Sequence, residues 1–261
     1  MANGLPSFAD EVEHGQAAVI NGKCPGDDSS LDDRSMIEDA PVLALHRPDR
    51  RPSAAQIAAF VDVPTGFVVD ALGGGGALAP EIKPVVAEQA HFVGVALPCH
   101  CRPDDNLAVF AALTLAKAGD VIVAAADGYR GAAVAGDNLL GMARNAGAVA
   151  FVTDGCVRDR KGIAALEFPC FATGLTPNSP ARKGPGTAGL PVVLGGVVVA
   201  SGDLAIGDEE GVVIVPFVRI DETIRRLVGV REAEAVLEAR VKAGLVVPDF
   251  IAPLLAEQTK S

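Results

Sequence analysis

The 261-residue sequence contains no tryptophan and one tyrosine, and aromatic residues make up only 4% of it. Since hydrophobic residues still account for 49% of the chain, the core must be built mainly from Val, Ala, Leu and Ile. Proteins that bind single-stranded nucleic acid stack the bases on aromatic side chains. This sequence has few such side chains, so that class of binding protein is disfavoured.

Basic residues are also scarce: 22 lysines and arginines stand against 33 aspartates and glutamates, for a formal net charge of −11. A protein that neutralises a phosphate backbone needs a basic face, so we expect no nucleic-acid partner. An acidic chain can still bind an anionic small molecule. Its site must then supply positive charge from arginine, a metal ion or backbone N–H groups.

Long hydrophobic runs are missing as well. No apolar stretch approaches the roughly 20 residues of a membrane-spanning helix, so we expect no membrane association. The first residues lack a basic patch followed by an apolar block, so we expect no secretory signal. The five cysteines, Cys24 among them, are an odd number in a chain long enough to fold without disulfides, which favours a reducing, cytoplasmic setting.

The chain divides by composition into three parts. Residues 1–50 include an acidic, aperiodic stretch from Pro25 to Asp39, and we predict an extension that is partly disordered or wraps a neighbouring chain. Residues 51–245 are predicted to form a catalytic domain, in which Ser53 caps a short alanine-rich helix. Residues 246–261 are predicted to be a C-terminal tail.

Strands and helices alternate in the first part of that domain, beginning at Phe67-Val68-Val69. A long Gly/Pro loop is predicted from Thr173 to Leu190, followed by β-rich runs with hairpin turns at Gly195-Gly196 and Gly202-Asp203. Asp221 is predicted to cap a final helix that runs to about Ala243. This order predicts a layered α/β sandwich with a mixed sheet. The buried face of the final helix is expected to carry Ile224, Leu227 and Val228.

The segment from Gly136 to Arg160 is the most informative for chemistry. Its first residues form a glycine-led turn into a helix, whose free N–H groups and dipole make a seat for a carboxylate. The chain then returns through an apolar strand to Arg158 and Asp159, and ligands collect at the carboxyl ends of strands in α/β sheets. An anion seat, a guanidinium and the carboxylates of Asp137 and Asp159 can thus meet at one edge.

These groups suit an oxygen-ligated divalent cation, because Mg²⁺ prefers one or two carboxylates and keeps several waters. An α-keto acid can displace two of the waters, and Arg158 can hold the same oxygens through a forked hydrogen bond. The residues alone leave an alternative open. Arg158 and Asp159 can form an ordinary surface ion pair, and the glycine seat can be only a tight turn.

Residues 136–159, GDNLLGMARNAGAVAFVTDGCVRD, resemble the signature of the RraA-like / 4-hydroxy-4-methyl-2-oxoglutarate aldolase family, the class II pyruvate aldolases of aromatic compound catabolism. Further pieces match in order between residues 53 and 245, among them VVDALGGGGAL, KAGDVIVAAA and GDEEGVVIVP. The run PDDNLAVFAAL resembles the family's Pro-Gly-Asp-Asn motif, with Asp104 where glycine is usual. Asn138 stands where an aliphatic residue is usual.

The resemblance implies an αββα sandwich with a mixed sheet, of the swivelling β/β/α type. It implies a homotrimer or hexamer with sites between chains, and Mg²⁺ or Mn²⁺ as the cofactor. The implied enzyme is a lyase that cleaves a 4-hydroxy-2-oxo acid to pyruvate and also decarboxylates oxaloacetate. Its substrates would be of the 4-hydroxy-4-methyl-2-oxoglutarate or 4-carboxy-4-hydroxy-2-oxoadipate type.

The resemblance also implies roles for single residues. Asp159 is expected to ligate the metal, Asp137 to hold a metal-bound water, and Arg158 to contact the keto oxygen and stabilise the enolate. The pyruvyl carboxylate is expected to meet the backbone around Gly136, Asn138 and Leu139, with Asn106 approaching from an adjacent loop. A glutamate of a neighbouring chain is expected to complete the site. The preferred candidate is Glu234, and its rivals are Glu232 and Glu238.

Three other features have plainer interpretations. The run Gly73 to Gly76 is interpreted as a turn, because the spaced glycines of a nucleotide loop are missing. Cys99-His100-Cys101 is interpreted as a buried strand end, because no second pair of zinc ligands follows. Tyr129-Arg130 can meet a distal carboxylate of the substrate or simply lie on the surface.

A second class of function stays open, because the family that the sequence resembles includes a non-enzymatic regulator that inhibits a ribonuclease by direct contact. That regulator lacks the aspartate that follows the arginine. This sequence keeps Asp159, which favours catalysis. A methyltransferase label also attaches to some such sequences, but this sequence has no cofactor fingerprint to support it.

Overall fold

The computed structural model describes residues 18–20, 41–46 and 50–258. Cys24 and the acidic stretch from Pro25 to Asp39 lie outside the described residues. The described chain is a mixed α/β fold built on one large sheet, as the alternating pattern predicts.

Helices and strands are numbered in chain order. The helices are α1 (Ala54–Ala58), α2 (Thr65–Ala71), α3 (Leu107–Leu115), α4 (Asp137–Asn145), α5 (Arg160–Ala165), α6 (Ile220–Lys242) and α7 (Ile251–Gln258). The strands are β1 (Ala18–Ile20), β2 (Leu43–Leu45), β3 (Lys83–Pro84), β4 (Phe92–His100), β5 (Asp120–Ala125), β6 (Ala133–Ala135), β7 (Ala150–Thr153), β8 (Cys156–Val157), β9 (Cys170–Ala172), β10 (Gly174–Leu175), β11 (Gly186–Ala188), β12 (Val192–Leu194), β13 (Val197–Val199), β14 (Leu204–Asp208) and β15 (Gly211–Val215).

The large sheet is mixed, which confirms the predicted sheet type. Its strand order is β1-β2-β11-β4-β5-β7-β9-β3, and β14 with β15 joins at β4. Strands β4, β5, β7 and β9 run parallel, and the segments that carry α3, α4 and α5 connect them. The other pairs are antiparallel, except for β11 with β2.

Side chains alternate between the two faces of this sheet, as the pleat of a strand requires. In β5, Ile122 and Ala124 pack with helices α3, α4 and α5, whereas Val121 and Val123 pack with the β12–β13 hairpin and β15. A third cluster joins α2 and α6 to β14 and β15. These clusters are largely aliphatic, so the layers form without the aromatic residues that the sequence lacks.

The predicted cap of α1 is present. The Oγ atom of Ser53 accepts from the backbone N–H of Gln56 at 3.2 Å, and the Gln56 side chain accepts from the Ser53 backbone N–H at 2.9 Å. This reciprocal arrangement is a capping box, which satisfies two N–H groups at the start of the helix.

The run Phe67-Val68-Val69 is helical, so its prediction as the first strand of the alternation is wrong. It lies inside α2, where Val68 and Ala71 are buried on one side. The start of α2 is fixed by Asp208, whose carboxylate accepts from the backbone N–H and the hydroxyl of Thr65, both at 2.8 Å. Tertiary packing therefore overrides the strand preference of valine and phenylalanine.

The loop predicted from Thr173 to Leu190 contains two strands, β10 and β11, so that prediction is wrong in part. Both are short and pair with strands distant in sequence, so local composition does not reveal them. The turn at Gly195-Gly196 joins the predicted hairpin. Gly202-Asp203 does not join one, because β13 before it and β14 after it belong to different sheets.

The final helix is present, but Asp221 does not cap it. The N-cap is Arg219, and Asp221 lies in the first turn of α6 and accepts from the Gln56 side chain. Leu227 is buried, whereas Val228 is 57% exposed, so the predicted buried face is narrower than expected.

Part of the predicted extension joins the sheet of its own chain. Strand β2 pairs parallel with β11, and β1 pairs antiparallel with β2. The domain boundaries near residues 50 and 245 stay predictions. Among the helices of residues 50–258, none is long and apolar enough to cross a membrane.

A second, three-stranded sheet positions the residues of interest. Strands β6, β8 and β10 follow β5, β7 and β9 in the chain, and they pair parallel with one another in the order β10-β8-β6. Ala135 of β6 lies opposite Val157 of β8. The residues just after these two strands, Gly136-Asp137 and Arg158-Asp159, are therefore neighbours.

Candidate active site

A cleft of about 190 Å³ opens where β6 and β8 end and α4 and α5 begin. Its volume is below the roughly 300–1,000 Å³ of pockets for drug-sized ligands, which favours a small metabolite. The cleft is lined by every site residue predicted within one chain: Asn106, Gly136, Asp137, Asn138, Leu139, Arg158 and Asp159. The predicted proximity of these residues is thus observed, while their roles stay predictions.

Arg158 is held in place by its backbone and its guanidinium. Its N–H donates to the carbonyl of Ala135 at 3.0 Å, which extends the β6–β8 pairing by one step. Its Nε lies 3.2 Å from Oδ2 of Asp159, and its Nη1 donates to Oγ of Ser179 at 2.6 Å. The side chain is 37% exposed, so the positioned guanidinium lines the cleft and is accessible from it.

Asp159 is the N-cap of α5, and its backbone is left-handed, with φ 62° and ψ 42°. Aspartate tolerates this region better than most residues do, because its short polar side chain can bond locally. The side chain is 44% exposed and carries the ion pair with Arg158. The αL turn therefore presents a solvent-accessible carboxylate at the mouth of the cleft.

Gly136 allows Asp159 to approach the start of α4. A Cβ atom at position 136 would lie 2.5 Å from Oδ2 of Asp159 and 3.1 Å from Cγ of Arg158. Any side chain there would displace the carboxylate. The glycine that the sequence indicates as part of an anion seat is thus also needed for space.

Asp137 begins α4, and its Oδ1 accepts from the backbone N–H of Asn138 at 2.7 Å. The sequence predicts that this amide binds the pyruvyl carboxylate, but in the structure it is engaged by a protein carboxylate. A substrate carboxylate would have to displace Asp137 from this amide or use its neighbours. The anion site at the start of α4 is therefore present, but Asp137 already accepts from one of its N–H groups.

Asn106 is 4% exposed and precedes α3. Its Nδ2 donates to the carbonyl of Val134 at 2.9 Å, which fixes the orientation of the amide beside β6. Its Oδ1 is buried and has no hydrogen-bond partner among the described residues. A buried acceptor without a donor is costly in a folded protein, so this oxygen marks a polar point of the cleft wall.

Two residues near Arg158, Ser179 and Arg182, are not predicted from the sequence. Both lie in the stretch predicted to be a plain Gly/Pro loop. Asp105 holds this stretch in place, because its Oδ2 accepts from the N–H groups of Lys183 and Gly184. Arg182 lines the cleft and stacks over the ring of Phe110 at 5.0 Å. The signal available in the sequence is an arginine in a glycine-rich loop, which alone is weak.

Glu234 lies on α6 and does not line the cleft that the described residues form. The same holds for its rivals, Glu232 and Glu238, and Glu238 is engaged with Lys242. A role for any of them would require the α6 helix of a neighbouring chain. The choice of Glu234 as a metal ligand stays a prediction.

The Cys99-His100-Cys101 run ends strand β4, with both thiols buried and free. A hydrogen bond with Cys101 and burial raise the pKa of Cys99 well above its ordinary value. His100 instead bonds Oδ1 of Asp127 at 2.9 Å. The described residues contain no group of three or more His, Cys, Asp or Glu side chains placed around a metal position.

The glycine run after α2 is a turn, as interpreted from the sequence. Gly73, Gly74 and Gly76 have positive φ angles, and a Cβ at Gly76 would lie 2.6 Å from the carbonyl oxygen of Ile214. Tyr129 and Arg130 do not line this cleft in the described chain. Their contact with a substrate is therefore not supported within one chain.

The donor set of the cleft fits a divalent cation that keeps most of its waters. Two carboxylates, from Asp137 and Asp159, line one open cleft. Mg²⁺ is held in proteins by one or two carboxylates together with water and substrate oxygens, and Mn²⁺ accepts the same ligands. The Arg158 guanidinium beside Asp159 offsets the negative charge of that carboxylate.

Comparison with known proteins gives the relationship. A family model described as RraA-like, Aldolase/RraA, matches residues 65–214. The chain belongs to the aldolase/RraA family. A protein of Halalkalibacterium halodurans named "Putative 4-hydroxy-4-methyl-2-oxoglutarate aldolase" is 38% identical over 187 residues, which cover 72% of this chain and 87% of that protein. A protein of the same name from Alkalilimnicola ehrlichii is 32% identical over 42% of this chain and 69% of its own length.

Solved structures of other proteins share the fold of this chain. An uncharacterized protein from Pseudomonas syringae pv. tomato superposes with a TM-score of 0.66 at 23% identity, over 76% of this chain and 96% of that one. Streptomyces coelicolor RraAS2, described as an unusual member of the RNase ES inhibitor RraA protein family, gives 0.64 at 25% identity, over 73% and 100%. The RraA-like fold implied by the sequence is confirmed, and the names of the relatives include both aldolases and a ribonuclease inhibitor.

Proposed function

We propose that this chain is a divalent-metal-dependent lyase that releases pyruvate from a 4-hydroxy-2-oxo acid. The observation that supports it is the meeting of Arg158, Asp159 and Asp137 in one cleft at the start of two helices. The substrates we propose are of the 4-hydroxy-4-methyl-2-oxoglutarate or 4-carboxy-4-hydroxy-2-oxoadipate type. Oxaloacetate would be decarboxylated by the same site, because loss of CO₂ gives the same pyruvate enolate.

Asp159 would ligate Mg²⁺ or Mn²⁺, and Asp137 would hold one of the waters around that ion. A bound cation supplies a Lewis acid that polarises the 2-oxo group. In the retro-aldol step, Asp137 would orient a water that takes the proton from the C4 hydroxyl. The C3–C4 bond breaks, C4 becomes a carbonyl, and the electron pair moves toward C3 and the former keto oxygen.

Arg158 would stabilise the negative charge that develops on that oxygen. Its contacts with Asp159 and Ser179 hold the guanidinium before substrate arrives, so little reorganisation is needed during the reaction. The water oriented by Asp137 would then return the proton to C3 of the enolate, which gives pyruvate. We propose a homotrimer or hexamer for the working state, since a glutamate of α6 would reach a cleft only from a neighbouring chain.

Arg182 would bind the second carboxylate of the larger substrates. It lines the same cleft as Arg158, and Phe110 restricts its guanidinium by stacking. We expect Arg182→Ala to raise KM for 4-hydroxy-4-methyl-2-oxoglutarate, with little change for 4-hydroxy-2-oxopentanoate, which lacks that carboxylate. Steady-state kinetics on the two substrates test this, and an equal rise in both KM values would contradict it.

The alternative is a non-enzymatic regulator that binds a ribonuclease, which the likeness to RraAS2 keeps open. Two assays separate the two functions. The first measures pyruvate release from 4-hydroxy-4-methyl-2-oxoglutarate, 4-carboxy-4-hydroxy-2-oxoadipate and oxaloacetate with Mg²⁺ or Mn²⁺. The second measures inhibition of ribonuclease E-type activity by the same protein. Pyruvate release without inhibition is the expected result. Inhibition without any pyruvate release would favour the regulator.

A further inference from the structure

Each of the two carboxylates of the cleft packs against a glycine at the start of the other helix. Asp159, at the start of α5, lies against Gly136, which is the N-cap of α4. Asp137, the first residue of α4, lies against Gly162 in the first turn of α5. The starts of α4 and α5 therefore make two reciprocal contacts, in each of which an aspartate of one helix start packs against a glycine of the other.

The contact at Gly162 is closer than any side chain could tolerate. A Cβ atom there would lie 2.0 Å from Oδ2 of Asp137 and 2.7 Å from both its Cγ and its Cβ. Rotating the carboxylate would relieve the first contact but not the last. An alanine at position 162 must therefore move the whole side chain of Asp137 or separate α4 from α5.

The backbone gives no other reason for a glycine at this position. Gly162 is an ordinary helical residue and is not among the residues with positive φ. A helix interior favours alanine over glycine. The missing side chain is thus accounted for by the space that Asp137 occupies.

We propose that Gly162 is a positioning residue of the cleft: its missing side chain leaves the space that the Asp137 carboxylate needs in order to line the cleft together with Asp159. The proposal rests on the proposed function, because it gives Asp137 a task toward the cation. Gly162 itself touches neither substrate nor metal. It acts through Asp137, which also keeps its bond to the Asn138 amide in this position.

Helix α4 supplies a matched control. Gly141 also faces the α4–α5 contact, yet a Cβ there would lie 3.8 Å from Cδ2 of Leu166, an ordinary van der Waals distance. Gly141→Ala makes the same chemical change between the same two helices without touching a carboxylate. It should leave the cleft unchanged.

The direct test measures Mn²⁺ affinity by electron paramagnetic resonance, because binding is read without any turnover. The proteins are the wild type, Gly162→Ala, Gly141→Ala, Asp137→Gly and the double variant Asp137→Gly/Gly162→Ala. Asp137→Gly is used because an alanine at 137 would keep the Cβ that lies 2.7 Å from the new side chain. Partners that orient metal ligands change affinity by roughly 10- to 100-fold when lost.

We expect Gly162→Ala to weaken Mn²⁺ binding by about 10-fold or more and Gly141→Ala to leave it unchanged. In the Asp137→Gly background, the second change should cause no further loss. Thermal unfolding guards against a folding defect: Gly162→Ala should lower Tm in the wild type and should not lower it in the Asp137→Gly background.

Wild-type Mn²⁺ affinity in Gly162→Ala would overturn the proposal. So would a loss of the same size with and without Asp137, because it would show a purely structural role. Failure of the wild type to bind Mn²⁺ would overturn it together with the metal assignment. Mn²⁺ binding without pyruvate release would contradict only the proposed reaction and would leave the role of Gly162 supported.

Discussion

At the scale of single residues, Asp159 combines a functional carboxylate with a left-handed backbone. For most L-residues this conformation costs roughly 1–2 kcal/mol, whereas asparagine and aspartate tolerate it. We expect Asp159→Ala to be about 1 kcal/mol less stable than Asp159→Asn, although both should lose metal-dependent activity. Urea unfolding of the two variants measures the difference.

Asp137 supplies the control for this comparison, since it lies in an ordinary helix. In the same urea unfolding experiment, Asp137→Asn should not be more stable than Asp137→Ala. Equal stability of the two Asp159 variants would mean that the turn into α5 relaxes, and the backbone would then not be a reason for an aspartate there.

Left-handed backbone also explains one departure from the family pattern. Asp104 stands where the family that the sequence resembles usually has glycine, and its φ is 62°. The position therefore requires a residue that accepts positive φ, and aspartate is one of the few that do.

Sequence reasoning can identify Arg158, Asp159 and the Gly136 turn by residue type. It cannot identify Arg182, because nothing local shows that Asp105 brings its loop to the cleft.

At the scale of helices and strands, the main alternation from β4 to β9 can be predicted because each element carries a clear hydrophobic pattern. The short strands β6, β8 and β10 cannot, since they have two or three residues each and exist only through pairing. Those strands position the residues of the cleft, because Gly136 directly follows β6 and Arg158 directly follows β8. Spacing predicts that the residues share one sheet edge, but the second sheet determines their contacts.

Helix α2, predicted as a strand, offers a test of what fixes its start. The buried carboxylate of Asp208 accepts from the Thr65 backbone, the Thr65 hydroxyl and the N–H of Glu210. Asp208→Ala leaves these donors without their acceptor, so we expect a loss of about 2 kcal/mol or more in unfolding free energy. Chemical denaturation measures it.

Asp221→Ala is the comparison for that experiment, because Asp221 is exposed and accepts from the Gln56 side chain at the surface. It should change stability by no more than about 0.5 kcal/mol, as exposed substitutions usually do. Similar effects of the two substitutions would show that Asp208 does not anchor α2.

At the scale of the whole molecule, two carboxyl groups that do not line the cleft, Asp154 and Asp203, link stability to pH. Burial raises the pKa of Asp154 and of Asp203 above the ordinary value of 3.8, although backbone hydrogen bonds act in the opposite direction. A folded pKa above the unfolded one means that the folded state binds more protons between the two values. Each group therefore makes its full contribution to the unfolding free energy when the pH is below the ordinary pKa. That contribution is lost as pH rises through the folded pKa.

Asp203→Asn removes one of these titrations. We expect its unfolding free energy to fall less between about pH 4 and pH 7 than that of the wild type does. Asp221→Asn, at an exposed position, should follow the wild-type curve. Parallel curves for Asp203→Asn and the wild type would contradict the assignment of a raised pKa.

The fold of residues 65–214 can be predicted from sequence chiefly through ordered motifs, and the family match over these residues bears this out. Assembly is different in kind. Contacts between chains depend on exposed surfaces, and the residue pattern of an exposed helix such as α6 predicts the helix but not what it contacts. The trimer or hexamer and the use of Glu234 therefore stay predictions.

The most direct measurement is pyruvate release from oxaloacetate by the purified protein with Mn²⁺, with and without a chelator, in the wild type and in Asp159→Asn. This variant keeps the shape and the left-handed backbone while removing the charge that would hold the cation. We expect turnover in the wild type that is lost with chelator and lost in the variant. Turnover that persists in Asp159→Asn and in the presence of chelator would contradict a metal-dependent lyase centred on Asp159.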